Sequence, residues 1–162
     1  MTGVQTCALP ICFPVTIGEL TPPEIILDLG PFDLDPCSPI NKPWATAKNH
    51  FTVDDNGLLQ SWDGFVWMNP PYGKALEAWL NKIALHGNGI ALVFARTETK
   101  AFQDWVFPFA TSIFFVKGRI QFYKVDGSKG DSANAPSVLI AYGSEADKRL
   151  QRSKIKGKYI KL

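Results

Sequence analysis

Apolar and polar positions along the chain repeat with two different periods. Across Lys74–His86, the residues Leu76, Trp79, Leu80 and Ile83 recur at helical spacing and predict one amphipathic helix, punctuated by Gly87 and Gly89. Glu98–Phe107 predicts a second helix, with Thr97 as its N-cap. The unbroken apolar runs Phe65–Met68, Ile90–Phe94 and Ile113–Val116 predict short buried strands, and Phe32–Asp35 alternates as a strand does. Arg119–Val125 and Ser137–Tyr142 predict two more strands joined by a polar, Gly-containing loop. Ahead of these, Thr21-Pro22-Pro23-Glu24 predicts a helix start. Thr21 would be the N-cap, Pro22 the first helical residue and Glu24 the return half of a capping box, and Gly30-Pro31 ends that helix. Residues 36–64 are dense in Pro, Asn, Asp and Gly and read as loop. Strands alternating with helices, followed by a run of strands, predict an α/β, three-layer fold with a mixed sheet that has an antiparallel edge.

Composition narrows the class. A chain of 162 residues suits one core. Hydrophobic residues at 46% and charged residues at 20% fit a soluble globular protein, and no apolar run is long enough to span a bilayer. The net charge of +2 conceals an asymmetry: residues 148–162 hold seven of the seventeen Lys/Arg and none of the fifteen acids. Such a segment is either an electrostatic contact for phosphates or a solvated, partly disordered terminus. The three cysteines, Cys7, Cys12 and Cys37, are odd in number and loosely spaced, which argues against a disulfide framework and for a reducing cytoplasm. With only His50 and His86 as imidazoles, and neither near a cysteine pair, no metal site is expected. Met1–Cys12 lacks periodicity and a basic leader, so it does not read as a signal peptide. It resembles translated adapter sequence, and residues 1–12 are expected to be artefactual or disordered, ahead of a body at 13–147 and a basic segment at 148–162.

The chemistry-bearing motif is Asn69-Pro70-Pro71-Tyr72, placed after the Phe65–Met68 strand and before a helix. That position is the carboxyl end of a strand, where open α/β sheets bind ligands. An aromatic amino group is a poor nucleophile because its lone pair is delocalised into the ring. Two acceptors, here the Asn69 side-chain oxygen and the Pro70 carbonyl, can draw its N–H groups out of plane and concentrate the lone pair. Pro70 and Pro71 carry no N–H, so the loop is stiff and offers no competing amide donor. Tyr72 offers a face on which an extruded base can stack. The plain alternative is a Pro-Pro turn followed by a core tyrosine.

On these residues the chain resembles the phage-type DNA N6-adenine methyltransferase (Dam-like) family. The matching stretches are Thr21-Pro22-Pro23, Leu34-Asp35-Pro36-Cys37-Ser38, Asp54–Leu58, Val66–Gly73, Ala95–Thr99 and Val116–Ile120. Only the fourth is specific alone; the shared order over roughly residues 18–143 carries the likeness. The resemblance implies a Rossmann-like methyltransferase domain, S-adenosyl-L-methionine as cofactor, double-stranded DNA as partner, and a host-cytoplasm setting if the gene is a phage's. It implies Asn69 to Tyr72 as catalytic residues. Thr21 and Pro22 would lie near the methionine end of the cofactor, with Asp35, Pro36, Cys37 and Ser38 as its first loop and Asp55 near its ribose or adenine. Asn69 would touch the cofactor as well as the base. No G-x-G follows Asp35, which departs from methyltransferases at large.

Each of these residues has a structural alternative: a helix cap for Thr21, a turn for Asp35-Pro36, a turn before Gly57 for Asp55. On the substrate side, Tyr72, Arg96, Lys117 and Arg119 would meet DNA, whereas Arg96 could instead pair with Glu98 and the other two line a solvated edge. Trp62, Trp67, Trp79 and Trp105 read as core. Asn-Pro-Pro-Tyr also occurs in glutamine and RNA N6-adenine methyltransferases, and a non-catalytic phage DNA-binding protein on the same scaffold is a third reading. Nucleophile elbows, P-loops and metal-ligand clusters are absent. The expected reaction is direct transfer to N6, with neither a covalent intermediate nor a metal, and with a short or loose recognition sequence.

Overall fold

The computed structural model of the chain describes residues 19–162. Met1–Cys12, including Cys7 and Cys12, lies outside the described residues, and Cys37 is a free thiol.

Strands β1 (Leu34–Asp35), β2 (Asn49–His50), β3 (Val66–Met68) and β4 (Gly89–Phe94) run parallel to one another. β5 (Ser112–Val116), β8 (Ser137–Tyr142) and β9 (Gly157–Lys161) complete a seven-stranded sheet ordered β2-β1-β3-β4-β8-β5-β9. β8 is antiparallel to both β4 and β5, and β9 is antiparallel to β5. Antiparallel pairing is therefore not confined to the edge. β8 is internal, and all six of its residues are buried, which accounts for its unbroken apolar run. Nor does β8 pair with the segment that precedes it. β6 (Gln121–Tyr123) instead folds against β7 (Lys129–Ser132) as a separate two-stranded hairpin, tied to the body by the bridge between Leu20 and Tyr123.

Helices cover both faces, so the fold has three layers. α1 (Pro23–Leu29) and α4 (Ser144–Arg152) pack with Trp67, Ile90, Leu92, Leu139 and Ala141 on one side. α2 (Leu76–His86) and α3 (Lys100–Trp105) pack with Val66, Met68, Ala91, Val93, Val138 and Ile140 on the other. Along β3, β4, β5 and β8 the apolar side chains alternate between these cores. Trp67 and Trp79 are buried as expected of core residues. None of the helices among the described residues is long and apolar enough to cross a membrane.

Two caps differ from expectation. Pro22, not Thr21, is the N-cap of α1, Pro23 opens the helix, and neither Thr21 nor Glu24 provides a side-chain cap. Thr21 has another partner, described below. At α3 the cap is Thr99, whose hydroxyl accepts from Phe102 N–H at 3.3 Å, not Thr97.

Residues 148–162 are not a disordered terminus. They form the end of α4 and the edge strand β9. Ser153 Oγ donates to Asp28 at 2.6 Å, and Tyr159 donates to Asp147 at 2.7 Å. Arg149 donates to the carbonyls of Leu29 (2.9 Å) and Pro31 (2.7 Å), pairs with Glu145, and sets its guanidinium 4.2 Å from the Phe65 ring centre. Lys161 pairs with Asp147. Charge that composition assigns to a surface is partly committed inside the fold. Arg149→Ala strands two carbonyls and removes the ring contact, so it is expected to lower unfolding free energy by about 2 kcal/mol. Arg149→Lys is expected to recover only part, because one ammonium lacks the planar fork. Urea denaturation checks this, and a wild-type midpoint for Arg149→Ala would contradict it.

Candidate active site

From β1 the chain moves outward to β2 on one side, and from β3 to β4 on the other. The carboxyl ends of β1 and β3 therefore flank the point where strand order reverses, and open α/β sheets form a ligand crevice there. A pocket lies at that crevice. β1 contributes Asp35 and the following Cys37; β3 contributes Trp67 and then Asn69, Pro70, Pro71 and Tyr72; the approach to α1 contributes Glu19, Leu20 and Thr21. Pro39 and Thr46 close it from the long loop.

Asp35 is buried. Its carboxylate accepts from Thr46 Oγ1 and, at 3.1 Å, from Cys37 N–H. Burial still dominates and holds its pKa up at about 6, from an ordinary 3.8. Burial likewise pushes up the Cys37 thiol, with Asp35 adding to the rise. A second carboxylate, Glu19, lines the pocket, and its pKa is raised by burial and by Asp131.

Asn69 stands one residue past β3. Its Nδ2 donates to Thr21 Oγ1 at 3.2 Å and reaches the Glu19 carbonyl at 3.5 Å. This fixes the amide's orientation, because the nitrogen side is held by the chain. Among the described residues nothing donates to Asn69 Oδ1 or to the Pro70 carbonyl. Tyr72 lies with its ring parallel to that of Phe94, centres 4.0 Å apart and planes 3° apart. Its hydroxyl is buried without a partner, and burial raises its pKa. The arrangement offers two acceptors, an aromatic ring and a buried carboxylate within one crevice.

The structure brings Thr21, Asp35, Cys37 and Asn69–Tyr72 together. Pro22, Pro36 and Ser38 adjoin the pocket in sequence without lining it. Asp55 is exposed, and its carboxylate accepts from Thr52 N–H (2.8 Å) and Thr52 Oγ1 (3.1 Å), which closes the turn before Gly57. Arg96 is exposed and forms no ion pair with Glu98. Lys117 and Arg119 are exposed beyond β5. Sequence reasoning missed Glu19 and Thr46 as lining residues; Trp67, read as core, is fully buried and also forms part of the wall. The one available signal was that a buried Asp35 requires a donor, and Thr46 is among the hydroxyls in the following loop.

A family model described as DNA N-6-adenine-methyltransferase (Dam) matches residues 21–155. No curated protein and no solved structure was found to match the chain.

The raised Asp35 sets a pH dependence. The folded state favours the protonated form, so this stabilising contribution is complete below about pH 4 and is lost as pH rises through about 6. Above that, the buried anion costs on the order of 3 kcal/mol, at about 1.4 kcal/mol per unit of pKa. Asp35→Asn keeps the shape and removes the titration. Its unfolding free energy is expected to match wild type near pH 4 and to exceed it progressively up to pH 7. Stability curves that stay parallel over that range would refute the buried titration.

Proposed function

The chain belongs to the DNA N-6-adenine-methyltransferase (Dam) family, and on that footing we propose that it methylates adenine N6 at the β1–β3 crevice, on a Rossmann-like methyltransferase fold, with S-adenosylmethionine as donor. The observation that carries this reading is the held amide of Asn69. Because Thr21 and Glu19 accept from its nitrogen, its oxygen is left free beside the Pro70 carbonyl. Two acceptors are thus preorganised where an amino group needs them, and they gain strength as that group becomes tetrahedral and positive. Tyr72 provides the platform for the extruded base.

The pocket fits the cofactor. Asp35 is a buried carboxylate without an ion-pair partner among the described residues. A cationic ligand offsets the cost of its burial. Asp35, Thr21 and Cys37 would hold the charged methionine end. When bound, the cofactor supplies a methyl group on a sulfonium whose departure leaves a neutral thioether. Pro22, Pro36, Ser38 and Asp55, implied by the resemblance, adjoin this wall without lining it.

For DNA, the sheet supplies a cationic ridge. β5 runs parallel to β4, so Lys117 emerges at the pocket end of the sheet, and β9 begins at that same end opposite Val116. Lys117 N–H donates to the Lys156 carbonyl at 2.9 Å, joining Arg119 and Lys117 to Lys156 and Lys158. With strands about 4.8 Å apart, this ridge stands about 14–19 Å from Asn69. At about 3.4 Å per base pair, that reach suits phosphates four to six pairs from the target. Arg96, at the end of β4, lies between ridge and pocket. The segment 148–162 thus serves both sheet and DNA.

Two outcomes are expected. Asn69→Ala should lower single-turnover methyl transfer by roughly a hundredfold or more, while stabilisation by S-adenosylmethionine in a thermal-shift titration persists. Full tritium transfer by a folded Asn69→Ala protein would remove this motif from the active site, and no thermal shift in wild type at millimolar cofactor would remove the cofactor. The double variant Lys117→Ala/Lys156→Ala should reduce the slope of log affinity against log salt by about 2, leaving cofactor binding intact. An unchanged slope would place the DNA elsewhere.

A further inference from the structure

Phe94 ends β4, one strand away from the motif-bearing β3. Along β4 the alternation sends Ile90 and Leu92 to the α1 face, and Phe94 follows them, partly buried against the same core. Trp67 shares that face, so the crevice and Phe94 lie on one side of the sheet. Tyr72 folds back over Phe94 until the rings are coplanar within 3° at 4.0 Å. Tyr72 lines the pocket and Phe94 does not. Phe94 therefore lies behind Tyr72 as seen from the crevice. The residue after Tyr72 is Gly73, at φ +106 and in open space, so the chain leaving the ring imposes little on its orientation. The tyrosine hydroxyl has no partner either. Neither hydrogen bonding nor the following backbone fixes the plane of Tyr72; the ring packed flat against it is that of Phe94.

We infer that Phe94 is a positioning residue for the target adenine, which backs Tyr72 so that the extruded base completes a three-ring stack Phe94–Tyr72–adenine. This rests on the proposed role of Tyr72 as the platform. The aromatic face, not the volume, is what Phe94 supplies. A ring held parallel from behind presents its front face in one orientation, at the height set by the neighbouring Asn69 Oδ1 and Pro70 carbonyl. A loose ring accepts the base in several planes, only some of which meet both acceptors.

The test uses the full chain and two duplexes bearing the site that wild type methylates: one with adenine at the target, for kcat/KM, and one with 2-aminopurine in its place, which has no N6 amino group and reports extrusion alone by its fluorescence. Phe94→Met retains apolar volume without a ring, Phe94→Leu truncates it, and Phe94→Tyr restores the ring. Melting temperature is measured first, and either of the first two variants that stays folded suffices. An aromatic pair is worth up to about tenfold. Phe94→Met and Phe94→Leu are expected to lose roughly that factor in kcat/KM for DNA and a matching part of the fluorescence gain, with cofactor affinity unchanged, and Phe94→Tyr to recover both. A folded Phe94→Met protein with wild-type kcat/KM and fluorescence, alongside an impaired Tyr72→Ala, would overturn the inference and leave the platform standing. A Tyr72→Ala protein as active as wild type would overturn the platform and the inference together.

Discussion

Parallel neighbours in a sheet cannot be joined by a tight turn, because the chain must travel back the full strand length before it can pair again. β1 and β3 are such neighbours, and their onward connections leave in opposite directions. The space above their carboxyl ends is consequently left as a crevice, closed on one side by Pro39 and Thr46 of the β1–β2 loop. The candidate site is arranged around that gap. Asp35 at the end of β1, Cys37 beyond it, and Asn69 to Tyr72 past β3 face it, and the chain entering α1 passes close enough for Thr21 to hold Asn69. Motif, carboxylate and hydroxyl meet because of strand order, although 48 residues separate Thr21 from Asn69.

The same topology explains which parts of the site were legible in the sequence. Asn69-Pro70-Pro71-Tyr72 carries its logic locally, since acceptors, missing N–H groups and ring are contiguous. The long helix α2 and the apolar runs of β3, β4 and β8 were legible because burial imposes a period. Thr21 was read as a cap because a threonine before two prolines suits one; that its hydroxyl meets Asn69 is a fact of tertiary structure. Thr46 and Phe94 stood in segments whose composition says loop and core, with nothing local to mark a partner across the pocket. β7, with the sequence Lys-Gly-Asp-Ser, has no apolar position at all and forms only because β6 offers an edge. Net charge alone did not show which cations of residues 148–162 the fold engages, for a related reason. Composition counts cations, whereas Arg149 and Lys161 are already engaged by carbonyls and carboxylates.

Charge is distributed with some economy over the finished surface. Acidic groups (Glu19, Asp35 and Asp131) gather about the crevice, and Lys117, Arg119, Lys156 and Lys158 gather at the far side of the same sheet end. A polyanion is thus drawn to the ridge and discouraged from lying in the crevice itself. The separation is set by strand spacing, hence by the insertion of β8 between β4 and β5.

The buried carboxylate of Asp35 makes the crevice a proton store. In the empty pocket at mildly acidic pH the group holds its proton, because burial outweighs the bonds from Thr46 and Cys37. An occupant bearing positive charge favours the anion, so capture and deprotonation become one event. Near pH 6 each such capture discharges part of a proton into the medium, and the calorimetric heat of binding will then vary with the ionisation enthalpy of the buffer.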